Sequence, residues 1–143
     1  MDNQRFRDTG ETIIDFLDSV LVECPRCKQC ANITGNPIKQ RPKLICSKCG
    51  LISTPEIVSY GGSSGEYCGF SLWLKSNCCG NILWVYNKKH LNYLESYVGA
   101  NLREEFTNIN QSLVSRLPYW IKKSQNRESI LKCILKLRQK LNN

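Results

Sequence analysis

The apolar positions of the first 60 residues predict a short helix followed by a small β-sheet. Residues 11–18 carry apolar side chains at helical spacing, which predicts an amphipathic helix that docks on the core. The segments 22–23, 31–34, 44–45, 51–53 and 56–60 are short and β-favouring, and Gly35-Asn36-Pro37 is a turn signal between them. We expect a three-stranded antiparallel sheet with one more short strand after it.

Residues 69–87 have the alternation of a β-hairpin. Phe70, Leu72 and Leu74 alternate with other side chains before the turn Asn77-Cys78-Cys79-Gly80. After the turn, both faces of residues 82–86 are apolar, so this strand should be covered on both sides. We therefore expect the hairpin to lie against the preceding sheet, beneath C-terminal helices.

The period becomes helical after Asn87. It predicts a helix over about 88–106, shorter pieces around 112–117 and after Pro118, and a last helix from Asn126 to about residue 141. The apolar stripe of this last helix is Ile130, Ile134, Leu137 and Leu141, widened by Leu131 and Leu135. The predicted fold class is α+β: a docking segment (1–21), a small antiparallel sheet that carries two pairs of cysteines (22–60), a loop and β-hairpin (61–87) and a C-terminal helical subdomain (88–143).

Two Cys-x-x-Cys pairs provide the strongest chemical signal. Cys24, Cys27, Cys46 and Cys49 have the number and spacing of ligands for one tetrahedral zinc ion. A closed shell of four thiolates predicts a structural role for the zinc, and two matched pairs favour metal over a redox dithiol. Cys30 could replace Cys24 as a ligand, but we prefer Cys24 because Cys-Pro-x-Cys then mirrors the second pair.

The remaining cysteines and the single histidine allow two interpretations. Cys78, Cys79 and His90, with Cys68 nearby in sequence, could form a second metal site, although their spacing fits no common pattern. The alternative is that they are buried packing residues and a turn, and Cys133 is most simply a packing residue in a helix. Without an identifiable acid or oxyanion partner for a nucleophile, the chain is predicted not to be an enzyme.

The charge distribution indicates an anionic partner. The net charge is +8, and residues 24–55 carry six basic side chains and no acidic one. The predicted phosphate contacts are Lys39, Arg41 and Lys43 in the ribbon loop and Lys132, Lys136 and Lys140 on the last helix. The alternative is that these side chains simply face water, while Arg26, Lys28 and Lys48 balance the negative zinc–thiolate cluster.

The hydropathy pattern predicts neither a membrane segment nor a signal peptide. No apolar run approaches the roughly 18 residues that a transmembrane helix needs, and the acidic N-terminal segment lacks an uninterrupted apolar stretch. The expected location is therefore the cytoplasm, where a chain with an odd number of cysteines keeps its thiols reduced.

The segment CPRC…CSKCG within residues 22–55 resembles the zinc ribbons of transcription factors and polymerase-associated proteins. The chain as a whole resembles uncharacterised bacterial zinc-ribbon-containing proteins, in the stretches around residues 69–98 and 112–132. The resemblance implies a module that grips DNA, RNA or a protein. We predict a zinc-stabilised, non-catalytic accessory protein that binds nucleic acid, with DNA as the first candidate. The alternative is an adaptor that docks on a larger transcription, replication or repair machine, with no small-molecule substrate evident.

Overall fold

The computed structural model describes residues 5–7, 10–58, 65–100, 102–104 and 117–142. Its elements confirm the α+β prediction: a four-stranded antiparallel sheet, further short strand pairs and helices in the C-terminal part. A separate parallel pair joins β1 (Arg5–Arg7) to β10 (Leu102–Glu104).

The ribbon sheet consists of four strands that pair in chain order. They are β2 (Ser19–Glu23), β3 (Cys30–Thr34), β4 (Lys43–Ile45) and β5 (Ile52–Ser53). One face is buried in strict alternation because successive strand residues point to opposite sides. The buried positions are Val20, Val22, Ala31, Ile33 and Leu44. The expectation of three strands was wrong, since the chain leaving the second cysteine pair adds β5 to β4.

The N-terminal element is shorter than its apolar pattern predicts. A single 3₁₀ turn covers Ile13–Phe16, and β2 already begins at Ser19. The backbone N–H of Thr12 donates to the Asp15 carboxylate at 2.8 Å, which satisfies one of the unpaired donors at the start of the turn. Phe16 and Leu17 are buried, so the segment contacts the core as expected.

The hairpin is displaced in register from the sequence expectation. Strands β6 (Glu66–Tyr67) and β7 (Phe70–Ser71) pair with each other, and the hairpin itself is β8 (Leu74–Cys78) with β9 (Asn81–Val85). The turn is therefore Cys79-Gly80. Residues 56–58, predicted as strand, have no strand structure, and residues 59–60 lie outside the described part of the chain.

Backbone hydrogen bonds join the hairpin region to the free edge of β2. The N–H of Leu21 donates to the carbonyl of Tyr86 at 2.9 Å, and the carbonyl of Leu21 accepts from the N–H of Trp73 at 3.0 Å. The segments on both sides of the hairpin therefore continue the hydrogen bonding of the ribbon sheet. Trp73 in this segment is partly buried against the core.

The described helices are α1 (Lys88–Gly99), α2 (Tyr119–Lys122) and α3 (Arg127–Leu141). The expected extension of α1 to about residue 106 was wrong, because Leu102 lies in β10 and pairs with β1. The last helix has its predicted limits, but Leu135 is 59% exposed and does not widen the buried stripe. The predicted helical piece at 112–117 lies outside the described residues except for Leu117.

Two hydrophobic clusters form the core. The helical cluster packs the hairpin against α1 and α3. The ribbon cluster lies under the buried face of the four-stranded sheet and includes Cys24, Cys46, Tyr67 and Tyr86. Because two metal-ligand candidates are part of this second cluster, the cysteine pairs are anchored in apolar packing as well as in the sheet.

Candidate metal centre

The two Cys-x-x-Cys pairs form turns of the same construction. In the first, the N–H of Lys28 donates to the carbonyl of Cys24 at 2.9 Å; in the second, the N–H of Gly50 donates to the carbonyl of Cys46 at 2.8 Å. The residue after each pair has a positive φ, 66° at Lys28 and 81° at Gly50. This left-handed step closes the turn and is tolerated best by glycine, so the lysine adopts it at some cost.

The four sulfur atoms converge at one end of the sheet. All lie within 4.8 Å of one another, with Cys24 Sγ 3.7 Å from Cys49 Sγ and Cys27 Sγ 3.5 Å from Cys46 Sγ. A tetrahedral ion with metal–sulfur bonds of about 2.3 Å requires sulfur separations of about 3.8 Å. The cluster could therefore hold a metal ion, and its geometry fits Zn²⁺.

The surroundings of Cys24 and Cys27 shift the pKa values of their thiols in opposite directions. Burial disfavours the Cys24 thiolate, but the backbone N–H groups of Cys27 and Arg26 outweigh burial and lower its pKa to about 6. The N–H of Gln29 favours the Cys27 thiolate, yet burial and the adjacent Cys46 sulfur raise the pKa of Cys27 to about 12. Neighbouring thiolates repel one another, and a bound divalent cation removes this conflict.

Cys30, the alternative ligand for the first pair, lies outside the cluster. It belongs to β3, opposite Glu23, and its thiol is directed toward the carbonyl of Ala31 at 3.9 Å. The structure therefore assembles the preferred ligand set with Cys24 rather than Cys30.

The three residues considered for a second metal site are not brought together. Among the described residues, the four ribbon cysteines are the one group of three or more potential ligands whose ligand atoms meet. Cys78 and Cys79 lie at the turn of the hairpin, whereas His90 lies on α1, beyond the opposite end of β9. The length of a strand separates them.

His90 has a structural environment. Its Nδ1 accepts a hydrogen bond from the N–H of Tyr86 at 3.0 Å, and its ring lies 5.3 Å from the ring of Phe16 and 5.4 Å from that of Tyr86. Burial lowers the pKa of His90 to about 3, because the charged imidazolium would lose its hydration. The residue is a neutral acceptor within the core.

The basic residues of the ribbon loop have three different environments. Lys39 lines a groove together with acidic side chains of the N-terminal segment, among them Asp15 and Asp18. The guanidinium of Arg41 donates to the carbonyl of Pro55 at 3.3 Å. Lys43 is exposed on the outer face of β4.

The basic residues of α3 also differ from one another. Lys132 and Lys136 are exposed on the side of the helix opposite to its buried stripe. The ammonium of Lys140 instead donates to the carbonyl of Trp73 at 2.6 Å and lies 4.6 Å from the centroid of the Trp73 ring. Lys140 therefore ties the end of α3 to the segment before the hairpin.

One proximity could not be read from the sequence. Burial and the nearby Cys46 raise the pKa of the Cys30 thiol, against the opposing positive charges of Lys140 and Lys48. Cys30 is therefore within electrostatic range of two ammonium groups, one from the second cysteine turn and one from α3. The sequence does not indicate this electrostatic interaction, because Cys30, Lys48 and Lys140 are far apart in the chain and only the fold brings their charges to bear on one another.

A second proximity concerns the cysteines outside the metal cluster. Cys78 at the hairpin turn lies beside both Cys79 and Cys133, and Cys133 is the α3 residue that the sequence predicts to be a packing residue in a helix. Their separation in sequence follows no ligand spacing, so nothing in the sequence associates them.

Comparison with protein-family models, curated proteins and solved structures finds no match to this chain. The fold and the site define its class: an α+β protein with a zinc-ribbon-like site of four cysteines. No helix among the described residues combines the length and the apolar character needed to cross a bilayer.

Proposed function

We propose that this protein is a zinc-stabilised accessory protein that binds nucleic acid, preferentially DNA. It contacts the phosphate backbone of the nucleic acid and performs no catalysis itself. The observation that carries the proposal is the exposure of basic side chains on two elements, Lys43 on β4 and Lys132 and Lys136 on α3. They are positive charges that the ribbon sheet and the last helix expose to solvent. A phosphate backbone carries regularly spaced negative charges, and such a surface attracts it from several elements at once.

Zinc supplies the rigidity of the ribbon part of this surface. Cys24, Cys27, Cys46 and Cys49 would hold the ion, and four protein ligands leave no open position for a reactive water. The four thiolates and one Zn²⁺ have a net negative charge, which the exposed Arg26, Lys28 and Lys48 partly balance. Lys43, Lys132 and Lys136 are further from the ligands in sequence and are the better phosphate contacts.

The residue types of the ribbon favour backbone contacts over base recognition. Residues 19–58 include no Phe, Tyr, Trp or His, so the ribbon itself offers no ring on which a base could stack. Lysine binds phosphate as a point charge and distinguishes bases poorly without a defined side-chain geometry. We therefore expect binding with strong salt dependence and weak sequence preference.

Salt-titrated binding to duplex DNA tests the proposal. We expect log K to fall linearly with log salt, and the slope to decrease by about 0.9 for each phosphate contact removed. The variants are Lys43→Gln and the double variant Lys132→Gln with Lys136→Gln. The matched control is Lys39→Gln, which removes the same charge beside acidic side chains and should change the slope less. Tight binding that is insensitive to salt, or equal slopes for all variants, would contradict the proposal.

A protein adaptor is the second candidate, and an exposed aliphatic patch favours it. Ile45 and Ile52 are opposite each other on β4 and β5 and are 41% and 67% exposed, with Ile57 further along the chain 63% exposed. Such a patch beside an edge strand is typical of a docking surface. A partner recovered after nuclease treatment should be lost with Ile52→Ser and kept with the control Ile82→Ser, an exposed isoleucine on β9.

A further inference from the structure

The Cys78 thiol is adjacent to two other thiols outside the metal cluster, those of Cys79 and Cys133, where the hairpin turn contacts α3. The Sγ atoms of Cys78 and Cys79 are 3.9 Å apart. The Cys78 thiol donates to the carbonyl of Ser129 on α3 at 3.9 Å, and the Cys133 thiol donates to the carbonyl of Asn77 on β8 at 3.7 Å. Each element therefore contributes a thiol that bonds to the backbone of the other, which holds Cys78 and Cys133 side by side.

The two inner thiols are buried and the third is exposed. Cys78 is 4% and Cys133 8% exposed, whereas Cys79 faces solvent at the turn. After burial itself, the adjacent Cys133 is the main neighbour that raises the pKa of the Cys78 thiol. A reagent from solution therefore meets Cys79 first, and Cys78 is the buried thiol that is adjacent to both Cys79 and Cys133.

Cys79 has a left-handed backbone conformation, which suits Asn or Gly better than Cys. Cys79 and Gly80 form the two-residue loop between the paired residues Cys78 and Asn81, and both have positive φ, 53° and 76°. This is the pattern of a type I′ turn, which strongly favours Asn-Gly. A residue with a Cβ is sterically strained in the left-handed region, and among such residues Asn tolerates it best. Cysteine does not stabilise this type of turn, but it places a thiol at the surface.

We propose that Cys79, Cys78 and Cys133 form a thiol–disulfide exchange site in which a small-molecule disulfide reacts at Cys79 and leaves a Cys78–Cys133 disulfide between β8 and α3. The arrangement of one exposed and two buried thiols gives the order of the steps. The site is separate from the four ribbon cysteines, whose thiolates are occupied when zinc is bound.

The chemistry balances without any metal or cofactor. The Cys79 thiolate attacks a disulfide RSSR, which forms a mixed disulfide and releases one RS⁻. The Cys78 thiolate then attacks the Cys79 sulfur and releases the second RS⁻, and the Cys133 thiolate attacks the Cys78 sulfur and releases Cys79 as thiolate. The protons of Cys78 and Cys133 pass to the two released thiolates. One RSSR is reduced to two RSH, and two protein thiols are oxidised to one disulfide.

Glutathione disulfide added to the reduced, zinc-loaded full chain tests the proposal, followed by non-reducing peptide mapping over time. We expect one glutathionyl group on Cys79 first, then a peptide linked through Cys78 and Cys133 with the glutathionyl group lost and zinc retained. Cys79→Asn suits the turn, so it should fold at least as stably as the wild type and form the linked peptide at least ten times more slowly. Cys133→Ser blocks the last step, so the mixed disulfide on Cys79 or the Cys78–Cys79 disulfide should accumulate.

The matched control is Cys30→Ser, which removes a partly buried thiol outside both cysteine groups and should leave the kinetics unchanged. Formation of the Cys78–Cys133 link at the wild-type rate in Cys79→Asn would overturn the proposed entry route. Modification that stops at Cys79 in the wild type, or release of zinc before Cys79 reacts, would overturn the proposed site. Because none of these readouts involves nucleic acid, they stand apart from the test of the proposed function.

Discussion

His90 shows how a residue with the chemistry of a ligand can serve the fold alone. The side chain accepts the Tyr86 N–H through Nδ1 and packs between aromatic rings. Since its Nδ1 lone pair is used and its ring is buried, His90 stabilises the junction of β9 and α1 only in the neutral form. This assigns it a role that depends on pH.

We expect acid to destabilise the protein through His90. Its pKa falls from 6.5 in the unfolded chain to about 3 in the fold, so the unfolded state binds the proton more readily. The contribution is constant above pH 6.5, and stability decreases by up to about 1.4 kcal/mol per pH unit as the pH falls from 6.5 toward 3. Urea unfolding at several pH values, with excess zinc, measures this slope.

The control for this measurement is His90→Asn, which places an acceptor near the position of Nδ1 and does not titrate. The variant should be less stable at neutral pH because it loses ring contacts, and its pH dependence between about 6.5 and 5 should be shallower than that of the wild type. Parallel pH profiles for the two proteins would contradict the assignment.

At the metal cluster, substitutions of Cys27 and of Cys30, the next cysteine in the sequence, should affect metal binding differently. Cys27→Ser removes a thiolate from the four-sulfur cluster and should lower metal affinity by several orders of magnitude, because structural zinc depends on each ligand. Cys30→Ser should retain one zinc per chain. Metal quantification with competition by a chromogenic chelator distinguishes them, and equal zinc loss in both variants would assign Cys30 to the site.

At the scale of elements, Asn87 is the joint between the N-terminal segment and the helices. Its side-chain oxygen accepts the N–H of His90 at the start of α1 at 2.9 Å. Its amide nitrogen donates to the carbonyls of Phe16 and Ser19 at 2.7 and 2.6 Å. One side chain thus connects the 3₁₀ turn, β2 and α1.

Asn87→Ala should lower the free energy of unfolding by about 2–4 kcal/mol, because it removes a helix cap and leaves two buried carbonyls without that donor. Denaturant unfolding measures the loss. The control Asn81→Ala removes an exposed amide that donates only to the turn carbonyl of Cys79, and it should cost less than half as much. A change below about 1 kcal/mol in Asn87→Ala would show that the joint is not a source of stability.

At the scale of the whole molecule, the metal-ligand candidates belong to only one of the two hydrophobic clusters. Cys24 and Cys46 belong to the ribbon cluster, whereas Cys78 and Cys133 belong to the helical cluster. Tyr93 on α1 is packed against both. Loss of the metal therefore acts directly on one cluster and reaches the other only through shared contacts.

We expect chelation of zinc to release the ribbon end before the helices. The amides of Lys28 and Gly50, which close the two cysteine turns, should lose protection from hydrogen exchange first, because repulsion between thiolates opens the turns. Amides of Ile134 and Leu137 in α3 should remain protected for longer. Simultaneous loss of protection in both regions would show that the protein unfolds as one cooperative unit when the metal leaves.

Comparison of prediction and structure shows which features are local in origin. The cysteine turns follow from spacing, because two residues between ligands suffice to direct both sulfurs to one ion. The limits and buried face of α3 follow from its repeating apolar positions, apart from Leu135. In contrast, α1 ends at Gly99 although its apolar pattern continues to Leu102, since pairing with β1 recruits that residue into a strand.

The sequence by itself determined the α+β class, the four metal-ligand candidates and the basic character of the ribbon, because these depend on composition and short-range spacing. Only the tertiary structure decided that His90 is a core acceptor, that Lys140 contacts Trp73, and that Cys133 lies beside the hairpin turn. Each of these depends on how α1 and α3 pack against the strands. Packing joins residues far apart in the chain, and no pattern along the sequence records it.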